Sequence, residues 1–163
     1  MKQSTNLVVV SFLDDQVEGD TFVRSRHSGW PLHITLFPWF GVPNFEILDS
    51  KLNEIAERSK TFSVQVGPER MFGEHADIPV NIIQNQTTLR QLHTELEDVI
   101  TSDGELFSPQ YIGDNYNAHI TQHSGATNRH EGDAVEINHI YLVKMVDDDT
   151  CQFLKKYSFG ANL

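Results

Sequence analysis

The chain has 163 residues, enough for one domain with a real core, and its 39% hydrophobic and 21% charged residues are ordinary globular values that exclude a disordered chain. Twelve Lys and Arg against 23 Asp and Glu give a formal charge of −11, which excludes a protein that tracks long nucleic acid by its phosphates, because that binding needs a cationic surplus. No apolar run reaches the roughly 20 residues that span a bilayer. No signal peptide is expected at the start, and the lone Cys151 rules out an intrachain disulfide and suits a reducing, cytoplasmic setting.

Leu7 to Leu13 is a β-branched apolar run that reads as a buried strand, and the polar stretch from Asp14 to Ser28 reads as a loop. Leu32 to Phe37 reads as a second strand, opened by Pro31 and closed by Pro38. Asn44 is a good N-cap for a helix over about Phe45 to Ser59, where Ile47, Leu48, Leu52, Ile55 and Ala56 share one face and Asp49 sits near the start. Phe62, Val64 and Val66 alternate with polar residues as in a half-buried strand, and Ile78 to Ile83 gives another. Leu89, Leu92, His93, Leu96, Val99 and Ile100 repeat at helical spacing, with Thr87 or Thr88 to cap the start and Gly104 to end it. Tyr116 to Thr121 reads as a strand after a Gly113-Asp114-Asn115 turn, and Ile137 to Val146 as a long strand followed by an Asp147-Asp148-Asp149 turn. Cys151 to Phe159 reads as a hairpin partner or a short helix. Long strands with only two helices define an α+β chain of largely antiparallel sheet, and no glycine-rich phosphate loop supports an NTPase or dinucleotide fold.

His33-Ile34-Thr35 recurs as His119-Ile120-Thr121. Eight His and eleven Thr make roughly half a His-x-Thr expected by chance, so two copies sharing the middle Ile and both lying in strands stand out. Residues i and i+2 of a strand point to one face about 6.6 Å apart, so each tripeptide sends an imidazole and a hydroxyl to one side while Ile packs on the other. If the two strands are neighbours, two imidazoles and two hydroxyls converge. A neutral His can then take a proton from water, a protonated His can give one to a leaving oxygen, and the hydroxyls can hold phosphoryl oxygens.

The run Pro31-Leu32-His33-Ile34-Thr35-Leu36-Phe37, followed by Pro38-Trp39-Phe40-Gly41-Val42-Pro43 and a helix, resembles the first signature of the two-histidine (2H) phosphoesterases. That superfamily includes the 2′-5′ RNA ligase-like proteins and cyclic nucleotide phosphodiesterases. Its mark is two His-x-Thr/Ser motifs some eighty residues apart, and here His33 and His119 are 86 apart. The resemblance covers essentially the whole chain. It implies one bilobal domain over residues 1–163, with two pseudo-symmetric lobes of mostly antiparallel sheet, helices outside and a central cleft. It implies His33 and His119 as acid and base and Thr35 and Thr121 as phosphate holders. Two positions depart from the pattern: Gln122 stands where an aliphatic residue is usual, and Ala118 precedes His119 where many members carry Pro.

Other candidates are weaker. Tyr116 and Trp39 are placed to stack on a base, and Arg129 or Arg26 to hold a second phosphate or the adjoining chain. Arg24 shares that polar setting. His93 reads as a core residue, whereas His27, His75, His130 and His139 carry no signature beyond exposure. His119 and His123 have the i, i+4 spacing of a zinc helix, but Ile120 stands where the glutamate belongs, and on a strand the rings would be about 13 Å apart. A metal site from His123, His130, Glu131 and Asp133 is the alternative; none is expected, nor is a cofactor. Cys151 reads as a packed thiol.

The expected activity is a metal-independent phosphodiesterase acting on a 2′,3′-cyclic phosphate of a nucleotide or RNA end. Cleavage of 2′-5′ oligonucleotides and RNA end-joining lie in the same class. A nucleotide or RNA-end binding module and a metal hydrolase are the rivals from other classes. The charge points to a small or end-binding partner rather than long nucleic acid; no membrane partner is expected, and the chain is expected to be a monomer.

Overall fold

The computed structural model describes residues 6–23, 30–122 and 129–160. The first strand, β1 (Leu7–Phe12), is buried along its length, as its β-branched run implies. The polar stretch after it, expected to be loop, holds a short exposed strand, β2 (Thr21–Val23), too brief to show a period. The next strand, β3 (His33–Gly41), runs past Pro38, the residue expected to close it. Its pairing with β1 shifts register between Leu7 opposite Phe40 and Val9 opposite Phe37, so Pro38 is absorbed in a bulge that needs no ladder donor.

Helix α1 (Phe45–Arg58) starts where expected, with the Asn44 side chain accepting from the Ile47 N–H at 3.2 Å. Asp49 does something else than favour the helix start: its Oδ1 accepts from Lys155 Nζ at 2.8 Å and from the Tyr157 hydroxyl at 2.7 Å, tying the helix to the sheet. Strands β4 (Phe62–Phe72) and β5 (Ile78–Gln84) form a hairpin. β4 outruns its expected length because Gly67 and Pro68 sit in a register shift between Val66 and Glu69. A Cβ on Gly67 would meet the Ile82 carbonyl oxygen at 2.5 Å, so this close approach requires glycine.

Helix α2 (Thr87–Thr101) follows, and the Gly104 N–H closes it on the Ile100 carbonyl at 2.8 Å. A two-residue strand, β6 (Glu105–Leu106), pairs with β3. Strand β7 (His119–Thr121) is shorter than the expected run from Tyr116, which is preceded by a 3₁₀ turn over Gly113–Asn115. Ile137 ends a separate, unexpected strand, β8 (Ala134–Ile137); the strand expected from Ile137 to Val146 is β9 (His139–Met145), and Asn138 breaks the two apart. The Asp147 carboxylate accepts the Asp149 and Thr150 N–H groups at 2.9 Å each, and the chain returns as β10 (Thr150–Ser158), so Cys151 to Phe159 takes the hairpin alternative.

All ten described strands join one antiparallel sheet in the order β2-β10-β9-β1-β3-β7-β5-β4-β8, with β6 beside β3. Five strands lie between β8 and β9 in that order, yet only Asn138 separates them in sequence, so the sheet curls strongly. The two motif strands, β3 and β7, are neighbours in the middle of this sheet. Both helices lie on one face, where Leu48, Leu52 and Ile55 of α1 and Leu89, Leu92 and Leu96 of α2 pack with Ile34, Leu36, Phe40 and Ile120. Each such side chain stabilises the fold by roughly 1.5–3 kcal/mol on burial. A second cluster of Val8, Val10, Phe12, Tyr141, Val143, Cys151 and Phe153 covers the opposite face, bordered by Phe22, Trp30 and Trp39. Neither described helix is long and apolar enough to cross a membrane.

Candidate active site

The two His-x-Thr units lie on adjacent antiparallel strands. Ile34 of β3 pairs with Ile120 of β7, and both are buried toward the helices. That register sets His33 opposite Thr121 and Thr35 opposite His119, all four on the other face and half-buried. At ordinary sheet spacing the two histidines are diagonal neighbours roughly 7–8 Å apart at Cα, a gap that one phosphate with a hydrogen bond on each side can bridge.

Both imidazoles are held alike. His33 Nδ1 lies 2.8 Å from the Pro31 carbonyl oxygen and His119 Nδ1 lies 2.8 Å from the Asn117 carbonyl oxygen. A carbonyl can only accept, so Nδ1 carries the proton in each neutral ring and Nε2 carries the lone pair. Burial lowers the His119 pKa below its ordinary 6.5, against the bond to Asn117, which acts the other way.

The walls around the two rings differ. Trp30 lies 4.7 Å from the His33 ring, and Phe12 lies edge-on to it at 6.0 Å. His119 meets the edge of Phe72 at 4.9 Å. Trp39 stands edge-on to Trp30 at 6.3 Å, half-buried, and so extends the aromatic wall on the His33 side. Of these aromatic residues, sequence reasoning singles out only Trp39. The alternation Val8, Val10, Phe12 is the signal that puts Phe12 on the His33 face; Phe72 has none, because the bulge at Gly67 hides its strand.

Tyr116 is not where a ligand can stack on it. The residue is 4% exposed, its ring is stacked on His93 at 4.1 Å between centroids, and its hydroxyl donates to the Thr35 carbonyl at 2.8 Å. His93 is a core residue, as expected: Nδ1 donates to the Leu36 carbonyl at 2.7 Å and Nε2 accepts from the Gly113 N–H at 3.1 Å. Arg129 lies 3.5 Å from Asp14 and lines a cavity of about 180 Å³ with Phe12 and His139. Arg24, Arg26, His27 and His123 lie outside the described residues.

His139 departs from the expectation of an exposed ring. It is 4% exposed, and its Nε2 accepts from the Phe12 N–H at 3.1 Å while Nδ1 donates to Asn138 Oδ1 at 2.7 Å. Burial first, then the charge of Lys156, pushes its pKa down to about 4, with Asp15 acting the other way. His130 Nδ1 lies 3.9 Å from Asp133, and among the described residues no group of three or more His, Cys, Asp or Glu is placed to hold a metal ion. Gln122, the atypical residue after Thr121, donates to Asn81 Oδ1 at 2.7 Å, and Asn81 donates to the Gly67 carbonyl at 3.2 Å. Asn81 pairs with Ile120, so this polar pair faces away from the motif surface.

A curled antiparallel sheet with paired His-x-Thr strands at its centre defines the two-histidine phosphoesterase class. The family model of the 2′-5′ RNA ligase superfamily matches residues 16–142, and the chain belongs to that superfamily. Among solved structures it is similar to TT0787 of Thermus thermophilus, at 15% identity and TM-score 0.60, covering 97% of this chain and 100% of that one. It is similar to E. coli LigT complexed with 3′-AMP, at 15% identity and TM-score 0.58, covering 98% and 100%. A structure described as a phosphoesterase matches at 14% identity and TM-score 0.63, covering 98% and 100%. At these identities the likeness establishes the fold. No curated protein sequence matches the chain significantly.

Proposed function

We propose that this protein is a metal-independent phosphodiesterase that opens a 2′,3′-cyclic phosphate on a nucleotide or RNA end. The observation that carries this reading is the juxtaposition of two identical His-x-Thr units, each imidazole tied through Nδ1 to the carbonyl two residues before it. Water attacks phosphorus opposite a ribose oxygen, gives its proton to one Nε2, and the other imidazolium protonates the departing oxygen, leaving a nucleoside monophosphate. His119 is the base, because partial burial favours its neutral form. His33 is the acid, and the Trp30 ring beside it suits an imidazolium. Thr35 and Thr121 donate to the phosphoryl oxygens where negative charge develops.

Trp30 and Trp39 offer a surface for a nucleobase on the His33 side, with a stacked base contributing about 1–3 kcal/mol. The LigT structures with 3′-AMP, ATP and NADP+ support a nucleotide as the ligand class. Screening limits electrostatic reach to about 8 Å at physiological salt, so one imidazolium serves a single phosphate even in a chain of charge −11. The same charge disfavours long RNA. Arg129 and Arg26 are held in reserve for a second phosphate.

The test is a panel of 2′,3′-cyclic mononucleotides, cyclic-ended oligonucleotides and 2′-5′ oligomers, assayed with and without a strong chelator, with the His33→Ala, His119→Ala double variant as blank. Turnover of a cyclic mononucleotide that survives the chelator is expected. Binding without turnover would replace the enzyme by a nucleotide-binding module, and loss of activity in chelator would replace it by a metal hydrolase.

A further inference from the structure

Gln86 occupies the N-cap position of α2, yet its side chain makes no bond to that helix. Asn85, in the left-handed region at φ 51, turns the chain just before it. The Gln86 side chain instead reaches the residues that lead into β7. Its Oε1 accepts the Ala118 N–H at 2.9 Å, and its Nε2 lies 2.8 Å from Asn117 Oδ1, 3.2 Å from the Ala118 carbonyl and 3.1 Å from the Ile83 carbonyl. An amide at a cap position ordinarily serves the helix's own unpaired N–H groups. Here it clasps the dipeptide whose first member supplies the carbonyl that orients His119.

The first motif shows why such a clasp is needed. There the orienting carbonyl belongs to Pro31, whose ring fixes φ near −65°, and the Leu32 carbonyl next to it accepts from the Leu13 N–H at 3.0 Å. The matching residue in the second motif is Asn117, which has no such ring; the Ala118 carbonyl accepts from the Ile83 N–H at 3.0 Å, but Asn117 itself lies outside β7. Nothing in the ladder fixes the Asn117 carbonyl.

We infer that Gln86 is a positioning residue for His119: by holding Asn117 and Ala118 it fixes the carbonyl that selects the Nδ1-protonated tautomer of that ring. This rests on the assignment of His119 to the chemistry, and it adds an asymmetry between two motifs of identical sequence. Each segment has a backbone bond to a neighbouring stretch of chain; beyond it, the segment before His33 is stiffened by a proline ring and the segment before His119 by a side chain from the start of α2.

The experiment compares Gln86→Ala with Asn44→Ala, which removes the side-chain cap of α1 and so lowers stability away from the site. Nitrogen-15 NMR of the uniformly labelled, substrate-free protein at pH 8 reads the tautomer of each neutral imidazole. In wild type both His33 and His119 are expected as the Nδ1-protonated form. In Gln86→Ala the His119 signal should move toward mixed tautomers while His33 stays put, and Asn44→Ala should change neither. With a cyclic mononucleotide, Gln86→Ala should lower kcat about ten- to a hundredfold with little change in KM. An unchanged His119 tautomer in Gln86→Ala overturns the inference whatever the activity, as does an equal shift in Asn44→Ala. A wild-type protein without turnover would defeat the enzymatic reading alone, since the tautomer measurement needs no substrate.

Discussion

The hydroxyl of Tyr116 donates to the backbone carbonyl of Thr35 at 2.8 Å, joining the segment before the second motif to the middle of the first. β3 and β7 are in register at Ile34 and Ile120, and β7 is only three residues long, so this bond carries an unusual share of the cross-strand alignment. Tyr116→Phe keeps the ring on His93 and deletes only the bond. It should cost about 1–2 kcal/mol in urea denaturation and lower kcat severalfold. Unchanged turnover at a reduced midpoint would show that the bond serves stability alone.

His33→Ala and His119→Ala should each reduce turnover of a cyclic nucleotide by about 10²–10⁴-fold, the range of a general acid or base. Both side chains sit half-exposed on the motif face, so thermal melts should stay close to wild type. Retention of full activity by either variant would remove that imidazole from the mechanism.

The pH dependence has a definite direction. A base must be neutral, and burial lowers the His119 pKa, so the acid limb of kcat/KM should lie below 6.5. The alkaline limb belongs to the acid partner and should vanish in His33→Ala. The residual activity of His119→Ala should instead lose the acid limb. The opposite pattern would exchange the two roles.

Gln122, half-buried, donates to the buried Asn81 behind the second motif. Gln122→Leu leaves Asn81 Oδ1 without its donor and should cost about 1–3 kcal/mol. Combining it with Asn81→Val should recover part of that loss, giving a coupling energy of roughly 0.5–3 kcal/mol in a double-mutant cycle. Strict additivity of the two changes would argue against the pair.

Stability should fall on mild acidification because of His139. Its folded pKa of about 4 lies below its ordinary 6.5, so between those values the unfolded chain binds the extra proton. The neutral ring's contribution is complete above pH 6.5, declines as the pH falls toward 4, and is gone below that. The full effect is about 3 kcal/mol. His139→Gln should flatten this window in denaturation curves taken at several pH values, and a wild-type curve already flat there would be inconsistent with the buried neutral ring.

The motif strands and both helices are legible in the sequence because their signals are local: alternation, helical spacing and an Asn cap. The Asp turn marks the return of the chain but leaves its last segment open between hairpin and short helix. β2 escapes because three residues carry no period, and the far half of β4 because Gly67 and Pro68 read as a stop when they mark a bulge. The break at Asn138 is hidden for a different reason. Residues on both sides are strand formers, and only the pairing of β8 with β4 and of β9 with β1 separates them. At the site, spacing alone finds His33, Thr35, His119 and Thr121. Tyr116 misleads because its position suits either face, and tertiary packing on His93 chooses the core. Gln86 is invisible because its partners, Ala118 and Asn117, lie about thirty positions along the chain.

An antiparallel pair centred on Ile34 and Ile120 has a local two-fold axis between those residues, and identical tripeptides keep that symmetry in their functional groups. The core of the site is thus ambidextrous: turned end for end, a phosphate would meet the same imidazole and the same hydroxyl. The symmetry is broken outside the motifs, by indole on one flank and the Phe72 ring on the other. On the proposed reading, exchanging the characters of Trp30 and Phe72 is expected to reverse which ribose oxygen departs, with no atom of either His-x-Thr unit altered.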